Sequence, residues 1–476
     1  MKLLKVYISA FCMCSLSVLL NSCDDFLKEE PLDMKSSDQF WKTKADAESG
    51  VNAMYFGGVP YLHNTDVGGG WTPKATMWGG IVSGLYVEKR KDRTFTTASE
   101  GCNFNIECFD DIAMKYWHEF YKGISRANFV IANIPTMTGV LDEATINNYV
   151  AQGKFFRAYG YFWLVKEFGG VPYISEPYTS TEGMYKERLS AEEVYKKIEA
   201  DLLDIVNGDA LPNKTFYENG CYVTRAMAQT LLAQVYLQWA GAPLNGGADY
   251  YGKAAQMALK VINDSPHELI HPNGTTDDLN SAYNVIKTTK ESAEIIDAKE
   301  YNYTNYSVGN SYACRSIGTD AFQWGVFHPG GDVLYNAYLP CDMLLNSYAS
   351  NDIRGHEKQF FFKQYTDAEG KTYTLNNAGN WAWFDENALI SGHDGDYNMP
   401  VFRFAEVLLI AAEGLARTNH EDNAVGGAKY YLNQVRKRAG LADETATGND
   451  LIQSILTERL HELPLEFKIW DDIRRT

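Results

Sequence analysis

Hydrophobic positions recur at three- and four-residue spacings over several long stretches, the period of an amphipathic helix. Between residues 110 and 134, Trp117, Phe120, Tyr121, Ile124, Ala127 and Ile131 fall on that period. Between 143 and 168, Phe155, Ala158, Phe162 and Val165 repeat it, and Gly169-Gly170 with Pro172 predicts where that helix stops. Ser190-Ala-Glu-Glu193 has the pattern of a capping box and predicts a helix from there to about Val206. An earlier helix is predicted near Lys44 to Met54. Two later segments resemble each other. TRAMAQTLLAQVYLQWA (224–240) is followed by YYGKAAQMALKVI (250–262), and RFAEVLLIAAEGLAR (403–417) by GAKYYLNQVRKR (427–438). Each is a helix rich in small residues, a short break, and a second helix carrying Ala where two helices must approach. This is the logic of tetratricopeptide-type repeats, with two unrelated helical hairpins as the alternative. Leu451 to Arg475 predicts a closing helix or helix pair, kinked or divided at Pro464.

The helical period fades over 57–106 and 265–400. There, Gly, Asn and Ser punctuate aromatics, as in YNYTNYSVGNSY (301–312), AFQWGVFHPGG (321–331) and NNAGNWAWF (376–384), which predicts irregular loops with a few short strands. The expected fold is therefore mainly α, with helix-turn-helix pairs forming a scaffold and a loop-rich layer beside it.

The first 22 residues read as an export address. Lys2 and Lys5 precede the apolar run Val6 to Leu20, which is short for a membrane span, and Leu20-Asn21-Ser22-Cys23 has the form of a bacterial lipoprotein cleavage site. Cys23 is thus the expected lipid attachment point, with a plain secretory signal as the alternative. Residues 23–31 form an acidic tether, and 23–476 read as one domain with an N-terminal part over about 32–220 and a C-terminal part over about 221–476. Of the mature cysteines, Cys102 and Cys108 are spaced to close a short loop, whereas Cys221, Cys314 and Cys341 offer no Cys-x-x-Cys or Cys/His metal spacing.

Charge and composition narrow the function. The net charge is −18 over 476 residues, which argues against a nucleic-acid binder and against electrostatic capture by anionic lipid. A hydrophobic content of 45% excludes global disorder. No Gly-x-Ser-x-Gly, His-Glu-x-x-His or phosphate-binding loop is present. A glycoside hydrolase needs two carboxylates across a cleft, and 61 acidic residues make such a pair uninformative by itself. His118-Glu119 and His461-Glu462 read as surface or packed side chains rather than catalysts. Asp394-Gly-Asp396-Tyr-Asn398 has the first ligand positions of a calcium loop but carries Met399 and Ala405 where an EF-hand needs Gly and Glu, so only a looser structural calcium site is left open. No other cofactor or metal is expected.

The aromatics carry the positive reading. There are 31 Tyr, 23 Phe and 10 Trp, many of them in the loop segments. Sugar rings have apolar C–H faces that stack on neutral aromatics, while Asn, Asp and Arg satisfy their hydroxyls. Trp71 and Trp78 in the first half and Tyr306, Tyr312 and Trp324 in the second are the candidate platform, extended by Trp381 and Trp383, whose alternation also suits a strand with one ring buried. Asn310, Arg315 and Asp320 are candidate polar partners. Trp117, Trp163, Trp239 and Trp470 lie on helical stripes and read as core, and Trp41 as an N-terminal packing anchor.

The order of several motifs resembles the SusD/RagB family of outer-membrane nutrient-binding lipoproteins. They are Cys23-Asp-Asp-Phe-Leu with Pro31, then Phe40-Trp41, Asp46-Ala-Glu and Val51-Asn-Ala-Met-Tyr55. Arg157-Ala-Tyr, Leu164-Val-Lys-Glu-Phe-Gly-Gly-Val-Pro172, Arg403 to Glu413, Glu458 to Leu463 and Asp472-Ile-Arg-Arg475 follow. One departure is Ile469, where the family often carries Arg for an ion pair. The resemblance implies about four tetratricopeptide-like helix pairs in a right-handed superhelix and no catalysis. It also implies a lid over a TonB-dependent SusC-like barrel in the outer membrane, with Asp24 and Asp25 marking export to the cell surface. The function it implies is capture of an oligosaccharide or polysaccharide. Capture of a peptide in the concave groove of the repeats is the alternative, and a surface glycoside hydrolase a further one.

Overall fold

The computed structural model describes residues 39–62, 80, 82–87, 110–178, 180–271, 278–313, 316–328 and 338–476. The leader, Cys23, the tether, Trp71, Trp78, Cys102, Cys108, Cys314 and Arg315 lie outside them.

Among the described residues, ten helices carry the scaffold. They are α1 (Lys44–Tyr55), α2 (Asp110–Asn133), α3 (Glu143–Phe168), α4 (Ala191–Val206), α5 (Arg225–Ala240), α6 (Gly247–Asp264), α7 (Phe404–Ala416), α8 (Ala428–Arg438), α9 (Gly448–Glu462) and α10 (Ile469–Arg475). Their starts follow the local chemistry. Thr43 caps α1 and Ser190 caps α4, each by a reciprocal capping box with the acidic residue three places on. Asp142 caps α3 through the Thr145 amide at 2.7 Å, and Gly169 ends that helix at φ 67°, a conformation only glycine takes without strain. Pro464 divides the C-terminal segment, since α9 ends at Glu462 and α10 begins at Ile469.

Each helix packs on the next in chain order, α2 on α3 and so on to α6 on α7, and α7 then meets both α8 and α9. One apolar core runs through this stack from Ala47 to Ile455. Helices in the middle are buried nearly all round: every residue of α7 is buried, as are most of α5 and the second half of α3. Small residues make the approach possible. A Cβ on Gly414 would stand 2.5 Å from the Tyr251 carbonyl of α6, and one on Gly160 of α3 would stand 2.8 Å from Ile124 of α2. Both predicted pairs, 224–262 and 403–438, are packed helix pairs. Trp239 is buried, Trp117, Trp163 and Trp470 are half-buried, and Trp41 packs on the core over Gly50.

The segment between α6 and α7 is more ordered than its composition predicts. The helix Ala282–Thr288 precedes β2 (Ile295–Lys299; β1 is Tyr86–Val87). The strands β3 (Leu339–Pro340), β4 (Phe361–Thr366), β5 (Thr372–Asn380) and β6 (Met399–Arg403) follow. All pair antiparallel as β1–β3, β2–β6 and β4–β5. NNAGNWAWF, expected to be a loop, instead ends β5 and turns through a 3-10 helix at Trp381–Trp383. Cross-strand pairing with β4, out of reach of a local pattern, accounts for the difference. Two smaller apolar clusters lie in this layer, one around Tyr312, Tyr338 and Trp383, the other around Phe327, Phe362 and Tyr365. Among the described residues, no helix is long and apolar enough to cross a membrane.

The loop layer is joined to the helices by buried charge. Arg403, at the end of β6, meets Glu294, Glu462 and Glu466, and Arg475 of α10 holds Glu413 of α7 by two bonds of 2.7 and 2.6 Å. Next to Ile469, Lys468 joins this lattice by reaching Glu406 at 3.0 Å. His461 sits inside it, stacked on Tyr348 with ring centroids 4.4 Å apart and its Nε2 2.9 Å from the Ser347 hydroxyl. Burial and the neighbouring Arg354 and Arg436 push its pKa down to about 4, with Asp352 opposing. The unfolded chain therefore takes up a proton that the folded chain refuses, and stability falls as pH drops from 6.5 towards 4. His461→Gln is expected to flatten that limb of the melting-temperature profile, and an unchanged acid limb would refute the assignment.

Candidate functional site

Beyond Lys299 the chain leaves β2 and enters the aromatic loop 301–312. The loop is pinned rather than free. The Tyr301 amide donates to Asn398 Oδ1 at 2.9 Å, and the amides and hydroxyl of Tyr303 and Thr304 donate to Asp396. Burial opposes ionisation of Asp396, but these donors outweigh it and hold its carboxyl below the usual range. Asn302 caps the helical turn Tyr303–Tyr306. The result is one ring held out into solvent, Tyr306, which is 75% exposed. Beside it in sequence, the half-buried Tyr303 stacks on His393 at 4.3 Å with the planes 16° apart.

Asn310, a predicted sugar-hydroxyl partner, is 3% exposed and fully engaged. Its backbone exchanges hydrogen bonds with Gly395 at 2.7 and 3.0 Å, its Nδ2 donates to the Tyr397 carbonyl, and its Oδ1 accepts from the Tyr312 amide. It fixes the loop and is not offered to a ligand. Tyr312 is a further correction: it is 0% exposed, packed against Trp383 and Phe467. Trp383, 5% exposed, belongs to the same cluster. Each ring removes about 150–250 Å² from water by turning inward, where it joins the cluster around Tyr338, Tyr348 and Phe467.

The second half-exposed aromatic face stands on the β4–β5 hairpin. The 3-10 turn Thr319–Trp324 is held on β5 by Asp320, whose Oδ2 accepts from the Asn376 amide at 2.8 Å. Trp324 is half-buried, and its ring stacks on Tyr373 at 4.8 Å with a 21° interplanar angle. Lys371 lies 4.5 Å above the Tyr373 ring, and the Tyr373 hydroxyl donates to Asp367 at 3.0 Å. Tyr365 lies beneath, near parallel to Trp324 at 6.3 Å. Trp381 is already occupied on its faces and edge. It stacks on Phe384 at 5.1 Å, carries the Lys287 ammonium 4.1 Å from its centroid, and donates from Nε1 to Asn284 at 2.7 Å. Burial pushes the Lys287 pKa down to about 7 against the pull of Asp385 and Glu386.

Of the predicted set, then, Tyr306 and Trp324 present ring surface, Asp320 and Asn310 position the loops, Trp381 is clad, and Tyr312 and Trp383 are core. Sequence reasoning passed over Tyr303, His393 and Tyr373. Tyr303 was recoverable from the YNYTNY run, whereas the stacking of Tyr373 needs the hairpin. Asp396 and Asp320 are tied to backbone amides, and His461-Glu462 is packed in the ion lattice. Among the described residues, no three His, Cys, Asp or Glu side chains gather as a metal site. Cys221 and Cys341 are free thiols, Cys221 donating to Glu300 at 3.2 Å.

Comparison with known proteins agrees with this architecture. Residues 322–476 match the family model described as SusD family, and residues 32–237 match one described as starch-binding associating with outer membrane. SusD-like protein P2 of Formosa agariphila is 28% identical, over 97% of this chain and 89% of its own length. Among solved structures, a SusD superfamily protein from Parabacteroides distasonis superposes with a TM-score of 0.76 at 26% identity, covering 91% of this chain and 88% of that one. Surface glycan-binding protein A from Bacteroides thetaiotaomicron, solved with laminarihexaose, superposes with a TM-score of 0.67 at 21% identity, covering 91% and 90%.

Proposed function

Since the chain belongs to the SusD family, we propose that it is a non-catalytic glycan-binding protein of the cell surface. It is held to the outer membrane through acylated Cys23. It captures an oligosaccharide on the aromatic loop layer and passes it to a SusC-like TonB-dependent barrel. The observation that carries this reading is the pair of ring surfaces on pinned loops, Tyr306 beside the Tyr303–His393 stack and Trp324 on Tyr373. A rigid aromatic with two χ angles loses little entropy on binding a sugar face. A neutral glycan also needs no counter-charge from a chain of net charge −18. The laminarihexaose bound to the Bacteroides thetaiotaomicron protein and the outer-membrane association in the family description both support the reading.

The test is calorimetry and affinity electrophoresis on a panel of neutral glycans, with reducing-sugar release followed in the same samples. Binding without release is expected. Release would establish a hydrolase, and binding of oligopeptides with no glycan bound would establish the peptide alternative. Cys23→Ala is expected to move the protein from the membrane fraction to the soluble one.

A further inference from the structure

On the helical side of β2 lies a cavity of about 380 Å³, within the size range of small-molecule sites. None of Tyr303, Tyr306, Trp324, Tyr373 and Trp381 lines it. Its walls are apolar, with Phe155, Phe156, Phe216, Met227 and Val401 among them. Three charged side chains line it: Asp297 and Lys299, of opposite sign and two residues apart on the strand, and Glu300 just beyond the strand's end.

Among the described residues neither Asp297 nor Lys299 forms an ion pair, although each feels the other's charge through space. The one partner of Asp297 among them is the Ala298 amide. Lys468, whose charge pulls the Asp297 pKa down, is committed to Glu406 at 3.0 Å and to the Val401 carbonyl at 2.9 Å. Lys299 likewise makes no ion pair, and the neighbouring Glu300 already accepts from the Cys221 thiol and from Asn398 Nδ2, each at 3.2 Å. The Tyr55 hydroxyl is spent on Gln152. Burial drives the Asp297 carboxyl up to about 7 against the pull of Lys468 and Lys299, and drives the Lys299 ammonium down against the pull of Asp297 and Glu300. A ligand of one charge would satisfy one of them and leave the other.

We propose that this cavity is a second binding site, taking a small zwitterion with an apolar side chain (an α-amino acid or a dipeptide). Its ammonium meets Asp297, its carboxylate meets Lys299, and its side chain packs on Phe155 and Phe156. The site is independent of the glycan surface and does not rest on it.

Calorimetry at about pH 8, where Asp297 is ionised, tests it on the full chain with L-phenylalanine and leucyl-phenylalanine as probes. Phenethylamine, lacking the carboxylate, and hydrocinnamate, lacking the ammonium, are the comparisons. At least one zwitterion is expected to bind, with both comparison compounds weaker by about tenfold or more. Asp297→Asn and Lys299→Met, which keep side-chain size and remove an under-solvated charge, are each expected to weaken it by about tenfold or more. Their melting temperatures and glycan affinities are expected to hold. The proposal is overturned if neither zwitterion binds at millimolar concentration, if the one-charge compounds bind as well, or if both variants keep full affinity. Glycan affinity measured on the same samples keeps this outcome separate from the fate of the loop site.

Discussion

Replacing Glu462 by Ala is expected to cost about 3–5 kcal/mol, a large part of the about 5–15 kcal/mol that holds a typical protein folded. The side chain is fully buried and lies at the centre of the ion lattice. Its Oε1 accepts from Arg403 at 3.1 Å and from Arg438 at 2.5 Å, and its Oε2 accepts from Arg354 at 3.2 Å. Burial alone would raise the pKa of Glu462, but the three guanidinium groups outweigh it and hold the carboxyl below its usual range. Truncation leaves those arginines facing one another with less counter-charge, and the arginines belong to three separate pieces of chain. Arg354 sits in the 3-10 turn Ile353–Gly355, Arg403 ends β6 and Arg438 ends α8. The loss should therefore be global, read as a single shift of the urea midpoint and the melting temperature. Because the folded pKa is depressed, the stabilisation is present above the unfolded value of about 4.5 and is lost as pH falls through the folded one. A shift of less than about 1 kcal/mol would show that the lattice is not what joins the layers.

The largest expected effect on binding comes from the double variant Tyr306→Ala, Trp324→Ala. Tyr306 supports nothing in the fold, so its loss should leave stability within about 0.5 kcal/mol. Trp324 half-covers the hairpin, so its loss should lower the melting temperature modestly through the missing stack on Tyr373. If these rings form the platform, glycan affinity should fall by about 2 kcal/mol or more, roughly thirtyfold. Tyr312→Ala is the opposite control. It opens a cavity in a packed cluster and should cost about 3–5 kcal/mol of stability, with any residual folded protein binding as before. Full glycan affinity in the double variant would remove these two rings from the binding surface.

These two variants also separate what could be seen in the chain from what could not. The scaffold was readable because its information is local. A 3.6-residue period, a capping box at Ser190 and glycines at 169–170 act within a few residues, and all three produce the predicted helix ends. Glycine and alanine in the paired helices carried the close approach of α6 and α7 in the same way. The aromatic layer was only half readable. Tyr306 and Tyr312 share one Gly/Asn/Ser-rich run, yet one is 75% exposed and the other not at all. No periodicity separates them, because irregular backbone sets no fixed direction for a side chain. Asn310 makes the separation by bonding to residues 395–397, more than eighty positions away.

By itself the sequence determined a mainly helical repeat scaffold and family membership, and set out a pool of loop aromatics from which a surface can be drawn. Helix period, caps and small-residue contacts are written within one or two turns, so they survive reading in one dimension. Which rings face water, the Trp324–Tyr373 stack, the closure of the ion lattice around Glu462 and the placing of Asp297 and Lys299 beside an apolar cavity were decided only in three dimensions. Each depends on where strands and loops far apart in the chain meet, and burial and electrostatics act on distance in space rather than on separation along the backbone.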